Sequence, residues 1–225
     1  MNKPTAKWLI PLLALFLLAE AVLYYLILTT GGNTLRWSSY ISIVICFLYA
    51  LIGANRNNWL LAAGLGFTVC ADYCLVICNP IQQLWGMIFF LCTQTLSCVY
   101  LHSRKINKVT LTIRFGLAIL AEVICVLVLR EKTDPLAVVS ILYYVYLIMN
   151  IVDSFLCQRA SRLLPVAFIL FVLCDTVIGL QVASAGYLPI TEGSMLHKII
   201  FSGFNLSWFF YLPSQVLIAL STRNK

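Results

Sequence analysis

Long apolar runs recur from one end of this 225-residue chain to the other, and few folds can absorb them. A helix needs about 20 residues to cross the hydrocarbon layer of a bilayer, and only helices or closed barrels satisfy their backbone hydrogen bonds there. Runs bounded by charges, Gly, Pro and Asn place spans near 8–29, 36–54, 59–79, 83–101, 109–129, 135–152, 161–183 and 197–221. The expectation is an all-α, polytopic membrane helical bundle of about eight transmembrane helices, a single transmembrane domain over 1–225. Connections between spans are too short for a separate soluble domain. Composition agrees: 62% of residues are hydrophobic and 10% charged, against roughly 25% charged in a soluble domain. The first run follows Lys3 and Lys7 and contains Ala19-Glu20-Ala21, which superficially resembles a cleavage site. It continues to Thr30, long enough to span, and reads as an uncleaved helix.

The net charge of +7 lies between apolar runs rather than in a basic patch, which argues for topology and against nucleic acid. Lys3, Lys7, Arg56, Arg104, Lys105, Lys108, Arg159, Arg162, Arg223 and Lys225 fall on one side of the predicted bundle. Arg36, Arg130, Lys132 and Lys198 fall on the other. Ten against four predicts a cell-membrane protein with both termini cytoplasmic. Arg114, inside span five, is expected to snorkel to the cytoplasmic interface.

Charges deep inside a span are costly and point to function. Four occur: Glu20, Asp72, Glu122 and Asp175, on spans one, three, five and seven. Each lies 12 to 14 residues from the cytoplasmic end of its span, about 18 to 21 Å at 1.5 Å per residue, so all share one depth. The two glutamates read first as hydrogen-bonded struts between helices, with Tyr24 as the expected partner of Glu20. The aspartates, short and poor helix formers, are the expected functional pair. Asp72 shares a helical face with Thr68, Leu75, Val76 and Asn79, and Asp175 with Phe171, Ile178, Gly179 and Val182. Gly179 is expected to let another helix or a chain-like ligand approach. Tyr211 and Gln215, one turn apart on the last span, are placed to hydrogen-bond a carboxylate or ligand.

The nine cysteines show no zinc spacing and read as buried apolar residues. Cys70, Cys74 and Cys78 form an i, i+4, i+8 stripe pointing away from Asp72, so no metal is expected. His102 and His197 fall at span ends, where an imidazole is ordinarily solvated. Nucleophile-elbow, P-loop and HExxH motifs are absent from the sequence.

Several segments together resemble the YhhN family of small polytopic membrane proteins. Ala71-Asp72 followed by Leu75 is similar to the family's Gly-Asp-x-x-Leu, and Leu173-Cys174-Asp175 followed by Leu180 to its Ser-Asp helix. Tyr211-Leu-Pro-Ser-Gln215-Val-Leu-Ile218 is close to the family's Tyr-x-x-x-Gln-x-Leu-Ile ending, and Tyr143 to Met149 resembles its Tyr- and Met-containing helix. Two positions depart. The family's Lys-Pro becomes Arg36-Trp37, and its His-x-x-Tyr becomes Ser97-Cys98-Val99-Tyr100, so a catalytic or orienting histidine is missing, with Gln94 one turn earlier as a stand-in.

The resemblance implies a lysoplasmalogenase. Its substrate would be a lysophospholipid with a vinyl ether chain, its products a fatty aldehyde and a glycerophosphobase, and no cofactor would be needed. Protonation of the vinyl carbon yields an oxocarbenium ion that water attacks, which suits one protonated carboxyl and one ionised carboxylate. Asp72 and Asp175 are the expected catalytic pair, with Glu20, Glu122, Ser97, Tyr100, Tyr211 and Gln215 in supporting or substrate-binding positions. Membrane lipids are the expected surroundings. Two alternatives stay open: a non-catalytic lipid-binding protein of the same fold, and a proton-coupled small-molecule transporter in which the acids form a relay.

Overall fold

A computed structural model describes residues 9–56, 58–103, 106–130, 133–157, 160–184, 191, 194–201 and 204–223. These residues form α1 (Leu9–Thr29), α2 (Gly32–Gly53), α3 (Trp59–Asp72), α4 (Gln83–His102), α5 (Lys108–Leu129), α6 (Pro135–Leu156), α7 (Leu163–Ser184), α8 (Met195–Ile200) and α9 (Leu206–Ser221). A π-helical segment, Tyr73–Ile77, prolongs α3. No strand occurs among the described residues. Seven helices are long and apolar enough to cross a membrane, and α9 is a shorter apolar one. This is a multi-pass membrane protein. Of the basic residues counted for topology, Lys3, Lys7, Arg104, Lys105, Lys132, Arg159 and Lys225 lie outside the described residues.

Local chemistry starts several helices. Asn107 accepts the Val109 and Thr110 amides at the start of α5. Asp134 caps α6 by accepting the Ala137 amide, with Pro135 in the first turn, where its missing N–H costs nothing. The predicted span over 197–221 is corrected: α8 and α9 are separate. Asn205 leaves helical geometry and its carbonyl accepts the Phe209 amide, opening α9 afresh. An average over apolar residues does not register such a break, because Phe201, Phe204 and the apolar runs on either side outweigh Ser202, Gly203 and Asn205 in the sequence. The run predicted to stop at 152 instead continues to Leu156 in α6.

Short connections make α1 to α7 alternate in direction, so α2, α4 and α6 finish at one end of the bundle, here the terminal end, and contacts at the end of α9 place it there too. Asn58 donates to the Thr222 carbonyl there, and the Arg223 guanidinium lies 4.1 Å from the centre of the Tyr49 ring. The core is formed by α2, α3, α4, α6, α7 and α9, with Ile43, Leu65, Leu147, Phe168 and Phe171 fully enclosed. Helix α5 packs on α6, and α1 on α2 and α9. Both expose most of their apolar side chains, as helices facing lipid do.

Pro213 sits inside α9 and leaves the Phe209 carbonyl without its helical donor. The Tyr24 hydroxyl of α1 donates to that carbonyl at 3.1 Å. Tyr24 is therefore not the partner expected for Glu20: an open backbone acceptor one helix away claims it.

Candidate functional site

Asp72 is the last residue of regular helix in α3, and the chain widens into the π segment immediately after it. π turns are rare, and they gather at functional sites. Two neighbours hold this one. Arg36 of α2 donates through Nε to the Val76 carbonyl and through Nη2 to Ile77 (2.5 Å) and Cys78 (3.2 Å). These are carbonyls that a helix end leaves open. On the other side, Leu75 presses on Gly86 of α4, where even a Cβ would meet the leucine side chain at 2.5 Å.

Asp72 is 4% exposed, and its Oδ2 accepts the Tyr211 hydroxyl of α9 at 2.7 Å. Asp175 of α7 has the same kind of partner: its Oδ2 accepts the Tyr143 hydroxyl of α6. The two carboxyls lie within electrostatic reach of each other. Aromatic rings join the two pairs into one layer. Phe171 lies 5.4 Å from Tyr211 and 6.4 Å from Tyr143, and Phe90 lies 6.3 and 5.8 Å from the same rings. Five helices thus converge on two aspartates in an apolar interior. This layer brings together the two aspartates and Tyr211 singled out from the sequence. Tyr143, noted there only as part of a helix resemblance, is the residue that reasoning undervalued.

The other predicted residues lie elsewhere. Glu20 is buried, but faces α2, where Ser42 donates to it at 2.5 Å and the Cys46 thiol lies at 3.6 Å. The Glu122 carboxyl, on peripheral α5, has no hydrogen-bond partner among the described residues. Ser97 returns its hydroxyl to the Thr93 carbonyl of its own helix at 3.0 Å. Ser97 and Tyr100 lie seven and ten residues beyond Phe90 on α4, about 10 and 15 Å along the axis. Gln215 is fully buried one turn beyond Tyr211. Among the described residues nothing lies within 4 Å of the Cβ position of Gly179, so no helix makes the close approach that was one of the two expectations there.

A second polar cluster was misread from the sequence. Arg114 does not snorkel: it is fully buried, pairs with Asp153 at 2.5 Å, and donates to the Asn150 side chain at 2.9 Å and the Tyr146 carbonyl at 3.3 Å. His102 is buried rather than solvated, with Nε2 3.2 Å from the Thr110 hydroxyl and 3.8 Å from Asp153, and Nδ1 3.0 Å from the Cys98 carbonyl. Asp153 was missed because the apolar run stops at Val152. Its spacing from Asn150, three residues back on the same helical face, was the available signal. Candidate ligand atoms of Cys98, His102 and Asp153 lie within 4.8 Å of one another. The residues do not fit a metal well: Arg114 puts a permanent positive charge on the Asp153 carboxylate, and the Cys98 carbonyl engages Nδ1.

The sequence profile of the YhhN family matches residues 35–222 of this chain. The chain belongs to the YhhN family. Neither the curated proteins nor the solved structures contain a match to it. As a YhhN-family polytopic membrane protein, it carries a buried Cys98/His102/Asp153 cluster consistent with a lipid-acting enzyme of this fold. The match includes α2 to α9, and with them both aspartates, both tyrosines and Arg36. The Lys-Pro departure gains a physical meaning in this YhhN chain: Arg36 spreads its fork over three consecutive carbonyls, which a lysine ammonium would serve less well.

Proposed function

We propose that this protein is a membrane-embedded lysoplasmalogenase-like hydrolase that uses Asp72 and Asp175 together. The observation carrying this reading is the pairing of two aspartates with two tyrosine hydroxyls on one aromatic layer inside the bundle. Vinyl ethers break by carbon protonation, so the reaction needs a carboxylic acid, a counter-charge for the cation, and one water. The reaction calls for one of two neighbouring carboxyls to carry a proton and the other to be ionised. The protonated carboxyl delivers its proton to the vinyl carbon, and the remaining carboxylate faces the oxocarbenium ion. Water adds to that ion, giving up a proton to a carboxylate, and the hemiacetal collapses to the aldehyde and the freed glycerol hydroxyl. One water is consumed, and no redox partner or metal enters. The two tyrosines orient the carboxyls, and the rings around them suit the flat vinyl group.

A second reading, proton-coupled transport, draws on the hydrogen-bonded run from Asp153 through Arg114 and Asn150 to Gln94, with His102 3.8 Å from Asp153 at its end. The Arg114 guanidinium offers donors and no acceptor, and so interrupts that run as a relay.

The test is aldehyde release from a 1-alkenyl lysophospholipid by the protein purified in detergent. Asp72→Asn and Asp175→Asn should each lower the rate by at least about a hundred-fold. In D₂O, immediately trapped aldehyde should carry deuterium on its α carbon. An inactive wild type sinks the hydrolase reading, and two fully active variants sink the assignment of the aspartates. Acid-driven proton uptake into liposomes would favour transport instead.

A further inference from the structure

One turn below the aromatic layer, toward the terminal end of the bundle, lie two side-chain amides that are each half satisfied. Gln94 and Gln215 are fully buried. Asn150 donates to the Gln94 carbonyl oxygen at 2.9 Å, leaving Gln94 Nε2 without a partner among the described residues. Gln215 Nε2 donates to the Ser214 hydroxyl at 3.3 Å, leaving Gln215 Oε1 without a partner among them. A buried polar atom with nothing to bond carries a desolvation cost that a hydrogen-bonding partner would relieve.

Their relative position follows from the rings above. Helices α4 and α9 run in the same direction, and Phe90 and Tyr211 face each other with centroids 6.3 Å apart. Gln94 and Gln215 are each four residues further on, about 6 Å along the axis. They occupy the same level, one an unused donor and the other an unused acceptor. A hydroxyl is the smallest group that meets both needs at once, accepting from Gln94 and donating to Gln215.

We propose that Gln94 and Gln215 form a hydroxyl-binding subsite for the free 2-hydroxyl of a single-chain glycerolipid. This rests on the hydrolase reading above. In such a lipid five bonds separate the vinyl carbon that takes the proton from the 2-hydroxyl oxygen, a span comparable with one helical turn of ~5.4 Å. With the vinyl group at the aspartate layer, the 2-hydroxyl falls at the two glutamines. A lipid acylated at that position has no hydroxyl to donate and brings a second chain to a level where Leu147, four residues beyond Tyr143 on α6, is already fully enclosed. The glutamines therefore select lysolipids over their diacyl relatives.

The test uses binding rather than turnover. Saturated 1-O-alkyl lysophospholipids, which lack the reactive double bond, are competed against a fluorescent 1-O-alkyl lysophospholipid on the detergent-solubilised wild-type protein. The 2-hydroxy ligand should bind about ten-fold more tightly than its 2-deoxy analogue, with the 2-O-methyl analogue no better than the 2-deoxy. Gln94→Leu and Gln215→Leu should bring the ratio close to one. Equal binding of the 2-hydroxy and 2-deoxy ligands to the wild type means that the amides hold a structural water only, and overturns the proposal. So does an undiminished ratio in both variants. The ligand series on the wild type decides the matter even where a variant does not fold. A protein that discriminates by the hydroxyl yet releases no aldehyde from alkenyl lipid keeps the subsite and loses the hydrolase reading. One that releases aldehyde without discriminating does the reverse.

Discussion

The Tyr211 hydroxyl reaches across 139 residues of chain to donate to Asp72 at 2.7 Å, in an interior where neither group meets water. Tyr211→Phe removes that donor while keeping the ring against Phe171 and Trp208. A hydrogen bond to a charged partner is worth about 1.5 to 3 kcal/mol, so aldehyde release should fall roughly ten- to a hundred-fold. The thermal unfolding midpoint in detergent should fall with it, by several degrees. A full-rate Tyr211→Phe protein would argue that the phenol is packing alone.

The Arg114–Asp153 pair should behave in the opposite way, with stability as its readout. Either Arg114→Leu or Asp153→Leu strands a buried charge and should destabilise the protein by about 3 to 5 kcal/mol. The double variant leaves no charge unpaired and should recover most of that loss. A double-mutant cycle on unfolding in detergent checks this: additive losses would contradict a direct pair.

Arg36 touches neither aspartate, yet it holds the turn that follows Asp72. Arg36→Leu should unhook the π segment and slow aldehyde release about ten-fold or more, whereas Arg36→Lys should retain part of the rate. Steady-state kinetics on both variants tests the order. Equal rates in Leu and Lys variants would remove the argument for positioning.

Gly86 faces Leu75 with no room for a methyl group. Gly86→Ala raises intrinsic helix propensity, which alone would stabilise α4 by up to about 1 kcal/mol. Overpacking against the π turn should outweigh that gain, costing about 1 to 3 kcal/mol and lowering activity with it. A stabilised, fully active Gly86→Ala protein would show that Leu75 yields freely.

The elements that the chain declares openly are those set by apolar length. Span positions, the membrane setting and the candidacy of Asp72 and Asp175 follow from where charge interrupts a run. Polar residues near the ends of spans are harder to read, because one letter serves an inward-facing and a solvated side chain alike. Arg114, His102 and Asp153 are all of this kind, and they pair with one another across α4, α5 and α6. The π segment is invisible for another reason. Tyr73 to Ile77 has ordinary helix-forming composition, and what widens it is tertiary: Arg36 on its carbonyls and Leu75 against Gly86. Tyr143 carried no signal of its own, since a tyrosine in a span reads as packing until its hydroxyl is seen on Asp175.

The stretch shared with the YhhN family begins at residue 35, beyond α1. Yet Tyr24 of that helix completes the backbone of α9 at Phe209, two residues before Tyr211, where Pro213 leaves a vacancy in the ladder. The first helix is a keystone as well as an outer wall. A shortened protein trimmed to the shared stretch would keep both aspartates and both tyrosines, and lose the strut that steadies the one on α9.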